Sequence, residues 1–125
     1  KGVLDVAEAE TYMSLGADGV QVSNHGGRQF DAAPTPVDML PTIRQALGPE
    51  ALILADGGVR NGLDIARMLA LGANFVLAGR PYVYAVASIG SRGGDHVMQL
   101  LKDELTMSMA QMGCATLDKL SDHLL

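Results

Sequence analysis

Leu15-Gly16-Ala17-Asp18-Gly19-Val20 returns later in the chain as Leu71-Gly72-Ala73-Asn74-Phe75-Val76. Each copy reads as a helix end, a glycine stop and a strand start, so the chain repeats a βα unit. Before the first copy, a helix from about Asp5 carries Val6, Ala9 and Met13 at helical spacing and stops at Gly16, and residues 19–23 read as a strand. A loop at residues 24–34 follows. Thr35-Pro36-Val37-Asp38 then supplies the N-cap, first-turn proline and capping-box acid of a second helix, with Met39, Leu40, Ile43 and Leu47 ahead of Gly48. Residues 51–55 read as a buried strand. A third helix starts near Gly62, carries Ile65, Met68 and Leu69 and stops at Gly72, and residues 74–78 form the next strand. This alternation predicts an α/β fold with a parallel sheet joined by crossover helices. The tail predicts a short helix over residues 82–89, a Gly/Ser/Arg turn, and a long amphipathic helix with Val97, Leu101, Leu105 and Met112 in one row, ended by Gly113.

At 125 residues and 48% hydrophobic, the chain has the size and apolar mass of one domain. A formal net charge of −5, with no Lys/Arg cluster to offset it, excludes nucleic acid as the main partner. The single cysteine, Cys114, cannot close an internal disulfide and reads as a small helix-packing residue, which suits a reducing compartment. Apolar runs such as Phe75-Val76-Leu77-Ala78 fall far short of the roughly 18 residues of a membrane span. A cytoplasmic chain, or one peripheral on the cytoplasmic face of a membrane, is expected. Met98, Met107, Met109 and Met112 read as packing residues rather than a soft-metal site, and His96 and His123 as solvated surface residues. The chain begins at Lys1, inside what reads as a strand-to-helix junction, so a longer parent protein is expected.

Each strand ends in a polar or glycine-rich cluster: Ser23-Asn24-His25, Asp56-Gly57-Gly58-Val59-Arg60, and Gly79-Arg80. In parallel α/β folds the carboxyl ends of the strands form the active face, so these clusters are expected to converge. His25, beside Gly26 and Gly27 and three residues before Arg28, offers a general base next to a bidentate carboxylate binder. A satisfied structural histidine and a surface arginine are the bland alternatives. Asp56 to Arg60, followed by the Asn61-Gly62 helix start, places backbone N–H groups and a cation where a phosphate would be held, and Gly79-Arg80 before Pro81 repeats the device. Two such loops on the last strands match the phosphate site of TIM barrels, the alternative being tight turns with capping arginines.

These residues resemble the C-terminal part of the FMN-dependent α-hydroxy-acid oxidases and dehydrogenases, the family of glycolate oxidase, L-lactate dehydrogenase and mandelate dehydrogenase. Ser23-Asn24-His25-Gly26-Gly27-Arg28-Gln29-Phe30-Asp31 is similar to that family's signature, with Phe30 where Leu is usual; Lys1-Gly2-Val3-Leu4, Asp56 to Arg60 and Gly79-Arg80 match three further motifs in order. The resemblance implies that His25 takes a proton from a small L-2-hydroxy acid of the lactate, glycolate or mandelate type, and that Arg28 clamps its carboxylate. It further implies an FMN cofactor, with Lys1 near flavin N1 and the C2 carbonyl and Ser23 at the ring edge. Asp56 would meet the ribityl hydroxyls, while the Gly57, Gly58 and Val59 amides, Gly79, and the Arg60 and Arg80 side chains would hold the phosphate.

By the same resemblance, residues 1–125 are the C-terminal segment of one FMN-binding TIM (β/α)8 barrel, about strands six to eight with their helices plus a helical tail. At about half of the roughly 250 residues that a barrel needs, the segment lacks the N-terminal strands and is expected to be inactive alone. Its implied partners are the missing N-terminal segment, the hydroxy acid, an electron acceptor (oxygen, a quinone or a cytochrome) and, through open sheet edges, further copies in a homo-oligomer. The rival readings are a flavin-free, phosphate-binding barrel isomerase or synthase with His25 as acid/base, and a non-catalytic truncated fragment.

Overall fold

The computed structural model describes residues 1–124 and divides them into two compact units. The first comprises Lys1–Gly57 with Leu71–Leu77 and holds the sheet; the second comprises Gly58–Ala70 and the chain from Ala78 onward, and is helical.

In the first unit, α1 (Val6–Ser14) is capped by Asp5, whose carboxylate accepts the Glu8 N–H at 3.0 Å. Three parallel strands, β1 (Gly19–Val22), β2 (Leu52–Asp56) and β3 (Phe75–Leu77), lie in the order β1-β2-β3. Gly19 pairs with Leu52, Val22 with Ala55, Leu54 with Phe75 and Asp56 with Leu77. The predicted parallel sheet is present. Between β1 and β2 runs α2 (Pro36–Leu47), where Thr35 accepts the Asp38 N–H. The Asp38 carboxylate answers by taking the Thr35 hydroxyl at 2.6 Å, a side-chain variant of the expected capping box.

Period two sorts the strands into two faces. Val20, Val22, Ile53 and Ala55 are buried, and α2, with its buried Leu40 and Ile43, packs on β1 and β2. On the other face Gln21 and Leu54 are half-buried, while Leu52, Phe75 and Leu77 are 38%, 64% and 41% exposed. The expectation of a wholly buried second strand is thus corrected: β2 is covered on one face only. The third strand is also shorter than residues 74–78. Asn74 spends its side chain on the turn before β3, where its Oδ1 accepts the Ile53 N–H at 2.8 Å and its own N–H donates to the Ile53 carbonyl at 2.7 Å.

Arg44 ties this unit together. From α2 its guanidinium donates to the carbonyls of Gly72 (2.8 Å), Gly48 (2.8 Å), Pro49 (3.2 Å) and Ala51 (2.8 Å) and to Asn74 Oδ1 (2.6 Å). One planar cation therefore serves the helix exit, the lead into β2 and the lead into β3, carbonyls that would otherwise be left underpaired.

In the second unit, α3 (Gly62–Ala70) packs on α5 (Gly93–Met112), and α5 also packs on α4 (Arg80–Ile89). The α3–α5 approach is close: a Cβ on Gly62 would fall 2.0 Å from the Leu105 nitrogen, so only glycine fits. The predicted row on α5 is the packed face, with Val97 and Leu101 buried and Leu105 and Met112 partly so, and Gly113 ends the helix in the left-handed region at φ 72°. Three expectations shift here. The short helix begins at Arg80, two residues before Tyr82, because Pro81 is a favourable first-turn residue. Cys114 is buried beside Ala66 and Leu120 but lies just beyond α5, where its thiol donates to the Thr116 carbonyl at 3.2 Å. The tail also continues into a 3₁₀ segment, Leu117–His123, that packs on α3 through buried Leu120.

Arg44→Leu keeps the aliphatic stem and removes all of these donors. It is expected to lower stability by about 2–3 kcal/mol, read as a fall in the urea midpoint with an unchanged slope.

Candidate active site

Asp56, the last residue of β2, is the centre of the site. Its Oδ2 accepts Lys1 Nζ at 2.6 Å and Gln21 Nε2 at 2.6 Å, and its Oδ1 accepts the Ser23 hydroxyl at 2.5 Å. These donors reach it by strand geometry. Gln21 and Asp56 fall on the same sheet face, and Ser23 follows β1 directly. Lys1 is brought alongside by the Gly2 and Val3 N–H groups, which both donate to the Gln21 carbonyl (3.1 and 3.2 Å), and by a parallel bridge between Val3 and Val22.

The Asp56 side chain is 15% exposed and that of Lys1 is 50% exposed. Burial pushes the Asp56 carboxyl up. Hydrogen bonds from Lys1 and Ser23, the charge of Lys1 and the Gln21 amide together outweigh it, so the group titrates below the usual aspartate value.

Ser23 is fully buried and links this carboxylate to the next loop, because its oxygen accepts the His25 N–H at 3.1 Å. Asn24 caps the loop in turn, its Oδ1 accepting the Gly26 N–H at 3.0 Å. His25, Gly26 and Gly27 follow one another in the left-handed region at φ 56°, 68° and 72°. For His25 this is a strained conformation of order 1–2 kcal/mol, and it is the only non-glycine positive φ among the described residues. The two glycines after the histidine are therefore required by the backbone of the turn as well as by the lack of bulk. His25 and Arg28 are both exposed, with Arg28 at the end of the turn.

The imidazole rests over Gly2. A Cβ at Gly2, whose φ is +92°, would stand 2.7 Å from His25 Cε1. Gly2 was legible only as part of a motif, since nothing in local patterning joins position 2 to position 25. Gln21 was missed for a different reason: it looked like one more residue of an apolar strand.

The second unit carries the rest of the candidate residues. Gly58 follows Gly57, with φ 78° and 95° respectively, and Val59 is buried. The Arg60 N–H donates to Asp64 Oδ2 at 3.0 Å, the Asp64 N–H to Asn61 Oδ1 at 2.9 Å and the Gly62 N–H to Glu104 Oε2 at 2.9 Å. Side chains thus already serve the Arg60, Gly62 and Asp64 amides at the start of α3. What the loop can still offer an anion is its Gly57-Gly58-Val59 backbone and the exposed Arg60 side chain, whose Nη1 donates to the Val59 carbonyl at 3.0 Å. Gly79 is the N-cap of α4 and has no side chain to cap it, and exposed Arg80 is the first residue of that helix.

Two outcomes are expected. Because Asp56 titrates low in the folded chain, its contribution to stability is complete above the ordinary aspartate range and is lost as pH falls toward its folded value. Asp56→Asn should flatten that acid limb of the stability–pH curve. Gly2→Ala should displace the His25 ring, seen as changed His25 ring resonances by NMR, and lower stability by about 1–2 kcal/mol through its positive φ.

Comparison with known proteins identifies the family. The family described as FMN-dependent dehydrogenase matches residues 1–125. An L-lactate dehydrogenase of Chromohalobacter salexigens is 46% identical over 125 residues, covering 99% of this chain and 32% of that protein. An L-lactate oxidase of Alicycliphilus denitrificans is 49% identical over 121 residues, covering 97% of this chain and 33% of that protein. The crystal structure of mandelate oxidase with 3,3-difluoro-2-hydroxy-3-phenylpropionic acid superposes with a TM-score of 0.92 at 39% identity, over 97% of this chain and 37% of that one. A mandelate oxidase mutant with the monooxide FMN adduct gives 0.90 at 39% identity, over 95% and 38%. The chain thus spans 32–33% of the length of these curated relatives, and its three-stranded sheet is a part of their α/β fold rather than a closed barrel. With the family matched from the first residue to the last and the likeness extending to the solved folds, the chain belongs to the FMN-dependent dehydrogenase family.

Proposed function

We propose that this chain is the C-terminal segment of an FMN-binding barrel, about strands six to eight with their helices and a helical tail. The enzyme that contains it oxidises a small L-2-hydroxy acid to the 2-keto acid. The observation that carries the reading is the Lys1–Asp56–Ser23 set at the strand ends, joined through Ser23 to the strained turn that presents His25.

The donor chemistry of that set fits FMN. A lysine ammonium suits the electron-rich edge of a reduced flavin ring, Ser23 suits the ring edge, and a carboxylate already aligned by three donors suits ribityl hydroxyls. The Gly57-Gly58-Val59 turn, Arg60, Gly79 and Arg80 would hold the phosphate, with the start of α4 adding the positive end of its dipole. FMN bound there supplies the two-electron sink of the reaction.

The chain's own residues supply the acid–base and binding work. Arg28 pairs with the substrate carboxylate through its planar fork and fixes which face of the acid meets the cofactor. His25 takes a proton from the 2-hydroxy acid. Lys1, held on Asp56, would place its ammonium beside the cofactor. The relatives carry both dehydrogenase and oxidase names, which supports a common half-reaction with acceptors that differ among them.

The apolar face of Leu52, Phe75 and Leu77 supports the placement in a larger barrel, since it needs cover that the N-terminal strands would provide. Family membership favours the flavin reading over the sugar-phosphate barrel without flavin. In the full-length protein, His25→Gln should retain FMN while slowing anaerobic flavin bleaching by L-lactate, glycolate or mandelate about 10²–10⁴-fold. Unchanged bleaching would overturn the assignment of the base.

A further inference from the structure

Gln21 is a polar residue on an apolar face. Its neighbours there are Leu54 directly opposite, with Leu52, Phe75 and Leu77 beyond, and a leucine or valine at this position would continue the pattern. Instead its amide donates at 2.6 Å to the same carboxylate oxygen that takes Lys1 Nζ at 2.6 Å. Its backbone carbonyl also accepts both the Gly2 and Val3 N–H groups. One residue therefore grips the Lys1 segment twice, once through the main chain and once through Asp56.

A carboxylate held by Ser23 alone, on its other oxygen, could rotate about its side-chain torsions and carry the lysine with it. A second donor on Oδ2 removes that freedom and leaves one direction for Nζ to approach. Gln21 suits the task because its amide donates without titrating, so it adds no charge to compete with Lys1.

We propose that Gln21 is a positioning residue: it locks the Asp56 carboxylate and so sets where the Lys1 ammonium stands. Its effect on the cofactor rests on the flavin reading above; its effect on Asp56 does not.

The test uses the full-length flavoprotein with Gln21→Met, which keeps length and apolar fit but cannot donate, together with Lys1→Met and the double variant. FMN should stay bound in all three. Gln21→Met should lower the midpoint potential of the bound flavin and weaken its sulfite affinity by about tenfold. Lys1→Met should do the same, and the double variant should add nothing further, because both changes act through one ammonium. A wild-type potential and sulfite affinity in Gln21→Met, beside a clear loss in Lys1→Met, would overturn the proposal.

A second readout needs no flavin. The acid limb of stability, measured on apoprotein, should move to higher pH in Gln21→Met as Asp56 loses a donor to its charged form, and should not move when Asp56→Asn is already present. If Lys1→Met leaves the flavin unchanged, the flavin reading of Lys1 fails, and this acid limb alone decides for or against Gln21.

Discussion

A single carboxylate that accepts from donors at three places in the chain governs the site. Asp56 draws Lys1, Gln21 and Ser23 onto one side chain. The cost of partly burying a charge is offset because each oxygen is met by a donor and one of those donors is a cation. The arrangement also depends on register. Gln21 faces Leu54, two residues before Asp56 and on the same face, so a one-residue slip of β1 against β2 would turn its amide to the opposite face.

Arg44 solves the inverse problem in the same unit. There a cation is satisfied by carbonyl dipoles and an amide oxygen, with no carboxylate among its acceptors. Asp56 gathers donors where chemistry is proposed; Arg44 gathers acceptors at the opposite ends of the strands, where the chain enters β2 and β3. In the second unit the start of α3 is closed by Asn61, Asp64 and Glu104, whereas α4 begins at Gly79 with no capping side chain. Of the two helix starts, α3 has side-chain partners for its amides, and α4 has no side-chain cap at Gly79.

Much of this was legible in the residues because it is local. Helix stops at Gly16, Gly48, Gly72 and Gly113, the Thr35 cap and the α5 row all rest on spacings of a few residues, and the structure places them where spacing predicts. The helical tail beyond Gly113 was not legible, since Leu117–His123 is held by burial of Leu120 against α3 rather than by any propensity of its own. Within the site, His25 and Arg28 stood out by type and by the glycines between them. Gln21 and the contact between Gly2 and His25 were hidden because both depend on which distant residues the fold brings side by side. At the start of α3 the partner of the Gly62 N–H was hidden too, because Glu104 lies far along the chain.

The left-handed backbone of His25 sets stability against the base role proposed for that residue. Glycine would adopt the same φ without penalty, and asparagine with little, so either replacement would relax the turn and make the fold more robust. Selection for heat resistance alone would thus tend to discard the imidazole, and its retention in a thermally improved lineage would support the base role proposed for it.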